Sequence, residues 1–379
     1  MKKNLIALAA LAAIASTSAF AQSAVSIDGV ADVGLQQITY KGGNKITAVG
    51  GNGSSTSQLN IRGSEDLGGG LKAEFRVETD WNLVSNNANT GAASKFGTVA
   101  SDSANSTVGT FGNGELRVGL AGGFGRVDAG TVNLNSLDTF LAGQPYGTAI
   151  GGGFRGVYVT DTSASSSVRA DQSIKYTSPS FAGFTGTVFY SAKNTDATQA
   201  NYSTTVGAYD RPGTKEIGLN YKNGPLAVSF SQNEQDYAGV QGGAGAAAAA
   251  QAYTTKVRTL GANYAVTTDI KVYGLAQTVG SDNASWDRSF HSVGASYTMG
   301  ANQFSALYGS GKNNTVAGAG KTTSMFSLGV DHSLSKRTAL YARYENIKDD
   351  GAFIPAAATV DQAGDTTRTR AAVGLRHTF

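Results

Sequence analysis

The sequence runs to 379 residues without a single cysteine, which excludes a disulfide scaffold, thiolate nucleophiles and cysteine-ligated metal. It carries 30 Lys and Arg against 27 Asp and Glu, a balance that excludes a nucleic-acid partner recruited by bulk positive charge. With 50 glycines, 16 tyrosines, 16 phenylalanines and only five prolines, it reads as one large β-rich body with no linker to divide it.

The chain opens on Lys2 and Lys3, an apolar stretch from Leu5 to Ile14, the polar run Ser16-Thr17-Ser18, and Ala19-Phe20-Ala21. Charge, short apolar core and small-x-small site in this order predict a secretory signal peptide over 1–21. The mature domain, 22–379, then starts at Gln22, and its apolar leader is too short to span a bilayer as a helix. Removing Lys2 and Lys3 from the 30 basic residues leaves 28 against 27 acidic ones. Any electrostatic function must therefore come from local placement of charge. No mature segment has the length of a helical span. A chain of this kind can live in a membrane only as a closed barrel, where every backbone polar group finds a partner.

In Leu71-Lys72-Ala73-Glu74-Phe75-Arg76-Val77-Glu78 every odd position is apolar and every even one charged. A period of two places the sets on opposite faces of a strand. A soluble sandwich turns the apolar face inward; a transmembrane barrel turns it to lipid. The spacing of the connections separates these readings. Short turns fall at Ser64–Gly70, Gly122-Gly123, Ser178–Gly183, Asn223-Gly224, Thr267-Thr268, Gly300-Ala301 and Ser333–Arg337. Long polar stretches lie between them at 40–56, 83–113, 131–167, 193–213, 234–252, 280–288, 311–321 and 349–366. This predicts an all-β fold, a transmembrane antiparallel β-barrel of about sixteen strands with short turns on one rim and long loops on the other. Both termini fall on the short-turn side.

The closing strand obeys the same rule: Ala371, Val373, Leu375 and Phe379 share one face, and Arg370, Ala372, Gly374 and Arg376 the other. Aromatic residues gather near strand ends, among them Tyr176, Phe184, Tyr190, Tyr264, Tyr297, Phe304 and Tyr308, as girdles at two membrane interfaces would require.

Arg62-Gly63-Ser64-Glu65-Asp66-Leu67-Gly68-Gly69-Gly70-Leu71-Lys72-Ala73 resembles the second hairpin of Gram-negative general porins, especially their beta-proteobacterial branch. Val118-Gly119-Leu120 with Phe124-Gly125, Ser173-Ile174-Lys175-Tyr176 with Ser178-Pro179, Leu334-Ser335-Lys336-Arg337-Thr338 and Gly374-Leu375-Arg376-His377-Thr378-Phe379 are similar to segments of the same branch. The resemblance covers essentially the whole mature chain. It implies an outer-membrane diffusion channel for small polar solutes, a homotrimer, a third long loop folded inward to narrow each pore, and no cofactor. It also implies a terminal Phe379 read by the outer-membrane assembly machinery. Outer-membrane lipid and lipopolysaccharide are the surroundings to be expected.

A pore selects by its diameter and by the charges at its constriction. The 131–167 stretch is the longest loop in the sequence reading and follows the fifth strand, from which the family's constriction loop folds inward. Lumen-facing bases on neighbouring strands, by parity, are Arg62, Lys72, Arg76, Arg117, Arg126, Arg169 and Lys175. In the family, arginines on this wall face acids on the constriction loop, and Arg169 holds the place of one of them. Two departures matter. Gln58 stands where relatives commonly carry a wall arginine, and the loop offers Pro145-Tyr146-Gly147 in place of a Pro-Glu pair. The loop's acids are Asp138 and Asp161, with Arg155 opposing them. More arginine than carboxylate in a narrow aqueous channel predicts a preference for anions.

Gly151-Gly152-Gly153-Phe154-Arg155-Gly156 matches a dinucleotide fingerprint, and Gly320-Lys321-Thr322 the end of a P-loop. The first lacks the strand–helix context that a dinucleotide site needs, and in the second Thr315 stands where the first glycine should be, so both are loop accidents. His291, His332 and His377 fall on the apolar faces without zinc spacing, which leaves no metal site to expect. A barrel enzyme would need a polar, oriented base serving a nucleophile. A repetitive adhesin would need self-similar repeats. A substrate-specific channel would be marked by aromatics on the lumen face, whereas parity sends most of them outward.

Overall fold

A computed structural model of the chain describes residues 24–41, 45–81, 83–84, 111–153, 168–192, 213–237, 253–282, 287–314, 320–349 and 367–379. The first half supplies β1 (Ala24–Tyr40), β2 (Lys45–Gly51), β3 (Gln58–Gly68), β4 (Leu71–Asp80) and β5 (Leu116–Gly122). It continues with β6 (Gly125–Asn133), β7 (Arg169–Thr177) and β8 (Phe184–Ser191). The second half supplies β9 (Gly213–Asn223), β10 (Leu226–Tyr237), β11 (Tyr253–Ala265), β12 (Ile270–Ser281) and β13 (Asp287–Met299). The last strands are β14 (Asn302–Asn313), β15 (Thr322–Ser333), β16 (Thr338–Asp349) and β17 (Arg368–Thr378). Among the described residues, a helix, α1 (Asn135–Ala142), lies between β6 and β7.

All pairings are antiparallel, and β17 returns to β1 along Val30–Tyr40. The sheet therefore has no free edge, the condition for placing strands in hydrocarbon. Both β2 and β3 pair with β1, through its upper and lower parts respectively. They share one position in the ring, so seventeen strands make a barrel of sixteen. At the β3–β4 turn Gly68, Gly69 and Gly70 all take positive φ, 61° to 85°. Only glycine takes three such residues in succession without strain.

The structure departs from the expected 40–56 loop. Residues 45–51 continue the ladder with β1, and 52–57 leave it. The glycine- and serine-rich composition of this stretch reads as a solvent loop, but a buried acid holds it. Asp32 of β1 accepts the backbone N–H groups of Gly53 (3.1 Å), Ser54 (2.8 Å) and Ser55 (2.7 Å), and the Tyr341 hydroxyl (2.7 Å). Four donors satisfy a carboxylate that would otherwise be costly to bury.

The faces are those of an inverted protein. Val188, Ile217, Leu260, Val293, Leu328 and Val373 point outward and are between 47% and 64% exposed. Their inward neighbours Thr187, Glu216, Thr259, Ser292 and Ser327 are buried. A belt of exposed aliphatic side chains around a polar interior is what lipid outside and water inside demand. The expected girdle aromatics follow it, with Tyr176, Phe184, Tyr190, Tyr264, Tyr297, Phe304 and Tyr308 all exposed on the outer face.

One part of the interior breaks the polar rule. Leu275, Phe290, Leu307, Met325 and Ile347 stand on inward positions of β12 to β16, yet none is more than 5% exposed. They cluster with Phe140 of α1 and with Tyr146. The segment 134–153 lies against them and hides them from the lumen. Its polar contacts follow the same inner wall. The Asn263 side chain (β11) donates to Ala142 O at 2.8 Å, Tyr146 Oη donates to Ser305 O (β14) at 2.6 Å, and Gly151 N donates to Glu345 (β16) at 2.9 Å. The segment thus runs inside the barrel from β6 to β16.

Candidate functional site

The expected wall bases come together on one side of the barrel, but not as a bare ladder. Arg76 pairs with Glu78 and, at 2.8 Å, with Glu115. Arg117 pairs with Glu115 at 3.3 Å and Asp128 at 2.9 Å. Arg126 pairs with Asp128 at 2.7 Å and Glu74 at 3.1 Å. Arg169 lies 3.8 Å from Glu78 and 3.6 Å from Asp80. Arg62 stands apart, 2.7 Å from Asp28 on β1. Asn60 joins it to the rest, donating to Asp28 at 2.9 Å and accepting from Arg76 at 3.0 Å. The result is a continuous chain of alternating charge across β1 and β3 to β7.

Two lysines complete the set. Lys175 on β7 donates to Asn133 O at 3.0 Å, where the inward segment leaves the wall. Lys72, exposed near the β3–β4 turn, pairs in register with Asp66 and Ala121. Seven basic residues thus stand with Asp28, Asp66, Glu74, Glu78, Asp80, Glu115 and Asp128. Counting only the loop acids overstates the positive excess. The alternation of Lys72, Glu74, Arg76 and Glu78 on one face already carries the signal, because parity that sends a base to the lumen sends its acidic neighbours there too. Gln58, at the missing arginine's position, lies opposite Asp80 in the ladder.

Asp138 sits on α1, exposed to the lumen. Confinement by the surrounding protein raises its carboxyl above the ordinary aspartate range, with Lys175 across the gap opposing the shift. Asp161 and Arg155 lie outside the described residues.

The inward segment is held at both ends by acids that sequence reasoning missed. Leu134 at the α1 N-terminus provides no side-chain cap. Glu216 of β9 supplies one instead, its two carboxylate oxygens accepting the N–H groups of Asn135 and, at 3.1 Å, Ser136. A carboxylate at the positive end of a helix satisfies both the orphan donors and the dipole. Close approach of α1 to the wall needs glycine: a Cβ on Gly261 would stand 2.0 Å from Thr139 O.

At the far end Arg343 of β16 donates to both Asp331 oxygens, at 2.8 and 2.7 Å, and to Ser54 Oγ at 2.9 Å. Its guanidinium lies 5.7 Å from the Tyr146 ring centre and 5.6 Å from that of Tyr341. Glu345 accepts Gly151 N and, at 2.8 Å, the Arg370 guanidinium. Thr56 of the strand break meets Thr148 of the inward segment at 2.8 Å. The break and the segment therefore brace each other through this contact.

Phe379 closes the seam. Its N–H donates to Gly29 O and its carbonyl accepts Gly29 N, both at 3.1 Å. The ring lies over Gly29, where a Cβ would come 2.5 Å from it, and 6.2 Å from the Trp81 ring. No group of three or more His, Asp or Glu able to hold a metal occurs among the described residues.

Comparison with known proteins bears on this arrangement. The family model described as Gram-negative porin matches residues 7–352. The chain is 31% identical to outer membrane porin protein 32 of Delftia acidovorans, over the full length of both. It is 29% identical to an outer membrane porin of Bordetella pertussis, again over both full lengths. Among solved structures, an anion-selective porin from Comamonas acidovorans superposes with a TM-score of 0.70 at 24% identity, covering 94% of this chain and all of that one. The trimer form of OmpT from Vibrio cholerae gives 0.63 at 15% identity, over 94% and 99%. A closed barrel with lipid-facing aliphatics, a charged inner wall and full-length kinship to porins have one reading: the chain belongs to the Gram-negative porin family and is a protein of the outer membrane.

Proposed function

We propose that the protein is a passive diffusion channel for small hydrophilic solutes and ions, with a modest preference for anions. The observation that carries this is the inner wall of β3 to β7. Seven bases stand there with seven acids, Asp66 opposite Lys72 included, but Lys72 and Lys175 have no ion-pair partner among the described residues, and Arg62 and Lys72 are the more exposed of the bases. The Comamonas relative in structure is anion-selective by its title, which agrees in sign. The pairing of most arginines with carboxylates limits the effect, since a salt-bridged base attracts a passing anion less than a bare one. Reversal potentials across planar bilayers in a KCl gradient test this. A shift toward the chloride potential is expected, and a shift toward potassium overturns it.

The assembly is read as a homotrimer, as in the trimer form of OmpT, within outer-membrane lipid and lipopolysaccharide. Phe379 serves two ends in this reading. It packs the β1–β17 seam, and it is the terminal residue offered to the outer-membrane assembly machinery. Replacing Phe379 with Ala should reduce the folded, heat-modifiable form on gels. Unchanged assembly would remove both roles. The relatives are porins, and no catalytic step is assigned to this chain.

A further inference from the structure

We infer that the outer wall of β12 to β16 carries a binding site for one anionic phospholipid of the periplasmic leaflet, a reading that rests on the barrel's placement in the outer membrane. Most of the lipid-facing belt is studded with bulky side chains, but here it is hollow. Ala295 and Ala306 are register partners, and Ala342 pairs with Val330 one row nearer the short turns. These small residues form the floor of an open trough of about 610 Å³. Tyr297 and Phe304, paired across β13 and β14, bound it toward the short turns, and Leu328 and Tyr344, paired across β15 and β16, bound its far side. The lining is overwhelmingly apolar. In a membrane such a groove is filled by hydrocarbon, and its shape accepts a chain lying along the strands.

The charge at its end selects the headgroup. Lys336 and Arg337 sit in the exposed turn between β15 and β16 and have no ion-pair partner among the described residues. Ser335 Oγ accepts the N–H of Arg337, at 3.1 Å, and that of Thr338, at 3.0 Å, which fixes the turn. Leu334 lies four positions beyond Val330, roughly 13 Å at the usual rise. That distance takes an acyl chain from the trough to an interfacial phosphate beside the two cations. Short turns mark the periplasmic rim, so the occupant is a phospholipid and not lipopolysaccharide. Two cations near the surface favour an anionic headgroup over a zwitterionic one.

The test uses the full-length protein folded in mild detergent, with native mass spectrometry after addition of phosphatidylglycerol, phosphatidylcholine or lipid A. The expected result is one phosphatidylglycerol per chain retained after the other lipids have dissociated. The double variant Lys336→Ala, Arg337→Ala should weaken that retention on the order of tenfold. Ala306→Trp, which fills the trough, should abolish it, with heat-modifiable migration confirming that the variant folds. Ala276→Trp, on the outer face of β12 away from the trough, should leave it intact. Equal retention of phosphatidylglycerol and phosphatidylcholine, preferential retention of lipid A, or indifference to Ala306→Trp would each overturn the proposal.

Discussion

At the scale of the residue, the inner wall is an exercise in compensation. Arg76 is held between Glu78 and Glu115, all three little exposed. Removing one partner of such a set leaves charge buried without an opposite, which costs about 3–5 kcal/mol. Arg76→Ala should therefore lower the temperature at which the folded form is lost on heat-modifiability gels, and Glu78→Gln in the same background should restore part of the loss. Independence of the two substitutions would show that the pair is not coupled. Asp138 makes a prediction about pH. Because its carboxyl is raised, it takes up a proton at higher pH than an ordinary aspartate does, and the lumen then loses a negative charge. Anion preference should rise as pH falls through the acid range. Asp138→Asn should show the raised preference already at neutral pH and a flatter pH response in reversal-potential recordings. The bases of this wall were legible by parity alone. Their acid partners Glu74 and Glu78 are equally legible, since they share that parity. Glu216 was not legible, since nothing local tells that an inward glutamate on β9 meets a helix eighty residues earlier in the chain.

At the scale of the element, α1 and the segment after it depend on the strands they lie against. Glu216 replaces a missing N-cap, and cap loss is typically worth about 1 kcal/mol, more when the acceptor is charged. Glu216→Ala should loosen the start of the inward segment, measured as increased current noise in single channels with the barrel still folded. Unchanged noise would place the anchoring elsewhere. Gly261→Ala adds a Cβ where Thr139 O already stands, and overpacking of this kind costs about 1–3 kcal/mol. The helix should shift into the lumen and reduce single-channel conductance. The strands themselves were readable because a period of two and the parity of loop lengths are local signals. The break at 52–57 was not. Its composition is that of a loop, and the buried Asp32 that draws it inward acts across the strand pair. The inward apolar positions Leu275, Phe290, Leu307, Met325 and Ile347 were hidden for a related reason. Parity assigns a face, but whether that face meets water or another segment is decided by tertiary packing.

At the scale of the whole molecule, the sheet closes on itself, lipid takes the place of a core outside, and a braced segment divides the space inside. That segment starts with α1 against β9 to β11 and goes on to cover the inward apolar residues of β12 to β16. The paired charges along β3 to β7 form one polar cluster of the inner wall, and Arg343–Asp331 with Arg370–Glu345 on β15 to β17 form another. In the proposed reading a chain with nearly balanced charge selects by where its charges are placed and not by their number. The absence of cysteine from the sequence makes the sorting directly measurable, since any introduced thiol is unique. Ile174 and Lys175 are neighbours on β7, the first 49% exposed on the outer face and the second on the inner wall. Single-channel current should be recorded from the folded Ile174→Cys and Lys175→Cys proteins before and after a membrane-impermeant, negatively charged thiol reagent. A drop in current for Lys175→Cys with no change for Ile174→Cys is the outcome required by a hollow, aqueous interior. Block at the outer position alone, or no conductance from either protein, would contradict it.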